Sequence, residues 1–320
     1  MNDFCFTFWT PGHASADDSR TFGCAAHGYA NDGVWREPGA FGSGIWRQAL
    51  PGESLAGTYD EVWSQLDRVA WRPAAALILF SHARGIEAFL EKWNVRFAGM
   101  PAAGGGAALG AGQTAGDLLP AAADVAVLLI RGGRWRVETL NVHDRTGQAF
   151  EFRASGLRTI TQLRDGGDWQ PAASALRALQ AAHGRTETDC ESLTFSDAGG
   201  RNIHCRFDGE ELHTGADLPA EGRLECRLVS RADVAKRLAE FCAVSDALVF
   251  GCAGLRSLLD APLLVAAGNL VGFMFGELVT IGGRPQFGNL MASRLALLAE
   301  TDKPTTRGSG RKQISNWGIG

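Results

Sequence analysis

LVGFMFGELVTIGG, residues 270–283, decides how this chain is read. An apolar run reaches a glycine, and then one acid, Glu277, stands among apolar neighbours and more glycine. A run of this kind fits a strand covered on both faces. Glutamate is almost never fully buried unless it is paired. Glu277 therefore either stands at the mouth of a pocket or has a cation or hydrogen-bond donor waiting for it.

The same order of features occurs earlier in the chain. ALILF, 76–80, is a short apolar run; GIEAFLEKW, 85–93, fits a helix; VRFAGM, 95–100, reads as a second strand running into the glycine tract GGGAALGAG, 104–112. In the second half ALVFGCAG, 247–254, is followed by a short helix or turn around LRSLLD and then by the quoted stretch. The shared order predicts an α/β protein of two related units, a pseudo-repeat, with layered sheets and helices.

Other segments fill in the plan. FCFTF, 4–8, reads as a strand, and residues 10–53 show little periodicity. ESLAGTYDEVWSQL, 53–66, carries acids first and then a helical stripe, so a helix is expected there. DVAVLLI, 124–130, and WRVETLNV, 135–142, fit adjacent strands joined by RGGR. NIHCRF (202–207), EELHTG (210–215) and RLECRLV (223–229) fit strands, and DVAKRLAEFCAV, 233–244, fits a helix.

Composition narrows the classes. The 320 residues suffice for two ordinary domains. A net charge of −4 gives no global pull toward nucleic acid or an anionic membrane. Seven cysteines without a CxxC pair argue against a disulfide scaffold and against a zinc site, so no metal and no cofactor is expected. The start of the chain lacks a basic segment before its short apolar strip, so no signal peptide is read there. The most apolar stretch, 261–278, is interrupted by Pro262, Asn269 and Glu277, and reads as a buried strand rather than a membrane insertion. The expected location is cytoplasmic, with reduced thiols.

Several side chains invite chemistry. The glycine tract misses the spacing of a dinucleotide loop and the lysine of a P-loop, so close backbone approach is the preferred reading. Cys252 follows a strand, where α/β proteins place binding groups. It is either a nucleophile with a lowered pKa or an inert buried cysteine. Arg256 and Glu277 follow two buried strands; as neighbours they would form a structural salt bridge or a site for a zwitterion. His82 takes the place in the first half that Cys252 takes in the second, and reads as a surface or capping histidine.

GELVTIGGR, 276–284, resembles the G-E-I-x-x-V-G-G-R signature of the C-terminal half of FIST domains. FGCAGLR (250–256), MASRLAL (291–297), ELHTGADLPAEGRLECRLV (211–229) and GDWQPAASAL (167–176) are similar to further segments of that family, in the same order. The resemblance implies residues 1–165 as a FIST N-like half with 10–53 irregular, 166–300 as a FIST C-like half, and 301–320 as a mobile tail. Met100 and Gly105 replace the cysteine and glutamate of the family's first-half turn. Gly288 replaces a histidine and is followed by Asn289.

FIST domains are proposed ligand-sensing modules of signalling proteins, so the resemblance implies binding without turnover rather than an enzyme. The expected partners are a small-molecule ligand, an amino acid or carboxylate metabolite, and a signalling protein. Arg256 would hold a ligand carboxylate, and Glu277 would take an amine or fix Arg256. Gly272 and Gly276 would admit the ligand to the backbone; Cys252 and Asn289 would line the wall. The alternative is a cysteine-dependent acyl or amide enzyme using Cys252. A third reading is an interaction scaffold docking through Trp-rich residues 35–71.

Overall fold

The computed structural model describes residues 3–8, 46–81, 84–106, 123–186, 191–243, 247–256, 258–259 and 270–298. Of these, 3–8, 46–51, 54, 231–232, 253, 256 and 270–275 are described by backbone alone. His82, the glycine tract beyond residue 106, residues 260–269 and the expected tail 301–320 lie outside the described residues.

The first unit is built from β1 (Asp3–Phe8), β2 (Trp46–Gly57), α1 (Tyr59–Leu66), β3 (Ala75–Phe80), α2 (Ile86–Arg96), β4 (Ala102–Gly106) and β5 (Val125–Ile130). β6 (Trp135–Asn141) follows. Next come β7 (Asp144–Gly156), β8 (Thr159–Arg164), β9 (Gln170–Pro171), α3 (Ala172–Ala182), β10 (Leu193–Ser196), β11 (Asn202–Ile203), β12 (Cys205–Asp208), β13 (Glu211–Thr214) and β14 (Glu221–Leu228). The chain ends in α4 (Arg231–Cys242), β15 (Ala247–Cys252), α5 (Ala253–Arg256), β16 (Leu270–Ile281), β17 (Arg284–Phe287) and β18 (Met291–Leu297). Helices and sheets are mixed, and strand outweighs helix.

Two sheets result. The larger runs β1-β2-β5-β3-β4-β16-β15-β18-β6, with β17 folded back on β16. The smaller runs β11-β10-β14-β7-β8-β13-β12, with β9 on β8. The boundary expected at residue 165 falls between β8 and β9, which pair within one sheet. In the large sheet β3 lies parallel to β4 and antiparallel to β5. β15 lies parallel to β16 and antiparallel to β18. β4 and β16 meet antiparallel at the centre.

Burial explains the apolar runs. Strand side chains alternate between faces. Leu77 and Leu79 join Leu128, Leu248, Phe250 and Leu295 on one face. Ile78 and Phe80 meet Val62 and Leu66 of α1 and Phe89 and Trp93 of α2 on the other. β15 is covered beyond this by Val234 and Leu238 of α4. In the small sheet Phe150, Phe152 and Phe195 pack on Leu176 and Leu179 of α3.

Several local expectations are corrected. Residues 53–57 belong to β2, and the helix starts only after Thr58. The Thr58 side chain accepts from the Glu61 N–H while Glu61 accepts from the Thr58 N–H, a capping box that fixes the boundary. Residues 46–53, expected to be irregular, also lie in β2.

VRFAGM is not a strand: α2 runs through Arg96 and leaves Val95 82% exposed. The second strand is instead AAGGG, the start of the glycine tract. A Cβ on Gly104 would lie 2.0 Å from the Ile78 carbonyl oxygen, and its φ is +138°, so glycine is what lets β4 join β3.

β5 and β6 do not pair across RGGR, because β5 joins β2 and β3 whereas β6 joins β18. NIHCRF is two short strands broken at His204. Strands β7 and β8 are further elements that the segments read from the sequence do not include, although FEFRA, 150–154, alternates buried Phe150 and Phe152 with exposed Glu151 and Arg153.

Candidate functional site

Cys252 closes β15, whose six residues are all buried. The backbone N–H groups of Gly254 and Leu290 donate to its sulfur. Burial pushes the thiol well above its usual range, and the Glu277 carboxylate adds to this. At neutral pH Cys252 is therefore a thiol, not a thiolate.

Glu277 lies on the neighbouring strand β16 and is 0% exposed. It does not stand at a pocket mouth. Its Oε1 accepts the Met291 N–H at 2.9 Å, its backbone carbonyl accepts the Gly288 N–H at 2.9 Å, and Oε2 has no hydrogen-bond partner among the described residues. Burial raises its pKa to about 7, against the lowering effect of the Cys252 thiol and the Met291 N–H. Its described partners are thus a thiol and a backbone amide. The Arg256 side chain lies outside the described ones, and its backbone ends α5.

The bonds from Glu277 pin the turn at 288–290. That turn carries Asn289 and Leu290, and Leu290 has φ 56°, the one positive φ outside glycine among the described residues. Such a conformation costs free energy and is held by its surroundings. Here the surroundings are the N–H to the Cys252 sulfur and the buried Glu277 carboxylate.

Gly276 has φ +67°, and a Cβ there would lie 2.2 Å from the Phe287 ring. Glycine lets Phe287 lie flat on the β16 backbone. Gly272 pairs with Phe250 in the sheet.

A cavity of about 330 Å³ opens between the two sheets. The large sheet contributes Cys252, Gly276, Phe287 and Asn289; the small sheet contributes Arg158, His204, Arg206 and His213. Thus three of the expected residues meet at one hollow, and Glu277 lies behind its wall. One acid, Glu191, lies among the lining residues. Two guanidinium groups, Arg158 and Arg206, against one acid favour an anionic guest.

Asn289 also ties the sheets together. Its Oδ1 accepts the His204 N–H at 3.3 Å, and it packs so closely on Gly215 that a Cβ there would be 2.5 Å from Oδ1. Among the described residues His204 Nε2 has no hydrogen-bond partner. Burial, with Arg206 and His143 adding to it, lowers the His204 pKa to about 4, so the ring is neutral at pH 7.

Arg158, His204 and Arg206 were not singled out from the sequence. One signal was present: in IHCR, 203–206, His204 and Arg206 alternate with buried Ile203 and Cys205, the pattern of a polar strand face. Arg158 carries no such signal, since it enters through the turn between β7 and β8. Among the described residues no cluster of three His, Cys, Asp or Glu is placed to hold a metal, and no helix is long and apolar enough to cross a membrane.

No protein-family model matches the chain, and no curated protein matches it.

Proposed function

We propose that this protein is a small-molecule sensor of the FIST type, binding an amino acid or carboxylate metabolite in the cavity between its sheets and passing the change to a signalling partner. The observation that carries this is the convergence of Cys252, Gly276 and Asn289 with Arg158, Arg206, His204 and His213 on one hollow. The guanidinium groups match a carboxylate, while Phe287 and the Cys252 thiol suit a short apolar body. Glu277 acts as a brace for the 288–290 turn rather than as an amine holder. Arg256 belongs to the reading through its backbone position two residues beyond Gly254, which lines the cavity.

The two halves of the large sheet support descent from one duplicated unit. Read outward from the central β4–β16 pair, each side has a parallel neighbour and then an antiparallel one. A cytoplasmic setting goes with this reading; Cys205, Cys226, Cys242 and Cys252 form no disulfide. Titration calorimetry against amino acids and carboxylates tests the site. Binding that weakens strongly in Arg206→Ala supports it, and binding indifferent to Arg206 and Arg158 removes it.

The enzyme reading places His204 as a base in the same cavity as Cys252. Its weakness is the thiol, which burial and Glu277 hold protonated. The scaffold reading falls partly outside the described side chains, since those of 35–51 are not among them; among the described residues the exposed large apolar side chains are Val95 and Leu157.

A further inference from the structure

A second hollow, of about 590 Å³, lies beyond Phe287, whose side chain lines both. One wall is a face of α2 carrying Glu87, Glu91 and Asn94; opposite stand Arg201 and Asp217 from the segments around the small sheet, with Arg284 of β17 at one end.

One ion pair passes between the hollows. Arg158 lines the first and Asp217 the second, and Arg158 Nε donates to Asp217 Oδ1 at 2.5 Å. Asp217 is in turn tied to α2. Its N–H donates to Glu87 Oε2 at 2.9 Å. Arg201 closes the group, donating to Glu87 Oε1 at 2.7 Å, to Asp197 Oδ2 at 3.0 Å and to the Asp217 carbonyl at 3.1 Å. A continuous polar path thus joins the first cavity to helix α2.

We propose that the ligand of the first cavity is an acid whose carboxylate takes Arg158 from Asp217, and that this exchange is how binding reaches α2. The inference rests on the reading of that cavity as a ligand site. The pair is open to exchange because both side chains are partly solvated, 25% and 33% exposed, and such pairs hold weakly. A ligand carboxylate can offer Arg158 the same fork geometry, and Arg206, exposed on the same cavity, adds attraction.

Once Arg158 turns to the ligand, the Asp217 carboxylate faces Glu87 with Arg201 as the remaining counter-charge. Two carboxylates at one site repel. The strain falls on the contact between residues 215–219 and α2. Reciprocity follows: if the ligand weakens the Arg158–Asp217 pair, loss of the Asp217 charge must strengthen the ligand.

The test uses the full chain with benzoate and butyrate as probes and benzamide and butyramide as neutral matches. Binding is measured by calorimetry for wild type and Asp217→Asn, and hydrogen exchange is followed over residues 86–96. The acids are expected to bind at least about tenfold better than the amides, as a lost charge-assisted pair implies. Asp217→Asn is expected to bind the acids several-fold more tightly. Benzoate should raise exchange in α2 of wild type, whereas in Asp217→Asn, which has no second carboxylate to repel Glu87, exchange should start near the wild-type level and change little.

Acid affinity unchanged or lowered in a folded Asp217→Asn overturns the exchange and leaves the cavity as a ligand site. Amides binding as well as acids does the same. Should that variant not fold, Arg158→Lys and the wild-type exchange data decide: benzoate binding without any change in α2 is fatal to the inference. If none of the probes binds wild type at millimolar concentration, the cavity reading falls and this one with it.

Discussion

Glu277 Oε1 accepts the Met291 N–H at 2.9 Å in a position closed to solvent. One buried acceptor thus fixes the turn that brings Asn289 and Leu290 to the cavity. Truncation to alanine removes the acceptor, strands a buried N–H and leaves a void. Glu277→Ala should lose about 3 kcal/mol of stability, measured by urea unfolding.

Glu277→Gln keeps the acceptor and removes the ionisation. The folded pKa of about 7 lies above the 4.5 usual for a glutamate. The folded protein therefore keeps a proton that the unfolded chain has lost, and the stability linked to it is full below about pH 4.5 and is lost as pH rises through about 7. Glu277→Gln should match wild type near pH 4.5 and exceed it by up to about 3 kcal/mol at pH 8. Equal stability of the two at pH 8 would show that the carboxylate is compensated when charged.

Glu87 is also raised to about 7, by burial first and by the Asp217 hydrogen bond second. His143 and His204 are lowered to about 4, chiefly by burial, and their stability is present above pH 6.5 and lost as pH falls toward 4. Between about pH 4.5 and 6.5 two acids and two histidines pull in opposite directions. Among these groups wild-type stability should change little across that window. The double variant Glu87→Gln/Glu277→Gln leaves the histidines alone and should lose stability steadily on acidification, read from melting temperatures.

Gly276→Ala places a methyl 2.2 Å from the Phe287 ring at φ +67°. Phe287 must swing away from a wall it shares with both cavities. A loss of about 2 kcal/mol or more is expected, together with weaker binding of any cavity ligand. Unchanged stability would mean that the ring moves at no cost.

Cys252 should react slowly with iodoacetamide at pH 7, and labelling should not accelerate until well above pH 9, because burial and Glu277 hold the thiol protonated. Fast labelling at neutral pH would restore the nucleophile reading.

Much of the fold was legible where both faces of a strand are covered. ALILF and ALVFGC announced themselves because every side chain in them is buried. AAGGG did not, since glycine has no side chain to reveal its face, and its strand state depends on the Ile78 carbonyl pressing on Gly104. VRFAGM carries strand-forming residues, yet the helix continues through Val95, because burial of Phe89, Leu90 and Trp93 outweighs local propensity.

The candidate site divides in the same way. Cys252, Gly276 and Asn289 come from one run of chain whose strands are neighbours, and their meeting could be read from the order of segments. Arg158, Arg206 and His213 come from another sheet, and only its packing against the first carries them there.

The amino-acid sequence by itself determined which runs must be buried and that Glu277 needed a partner, because desolvating apolar area and charge has the same cost sign wherever the chain goes. Which described partner it found, a backbone N–H beside a buried thiol, was decided by tertiary structure. So was the basic lining of the cavity. Both depend on distances between residues far apart in the chain, and no local pattern encodes those.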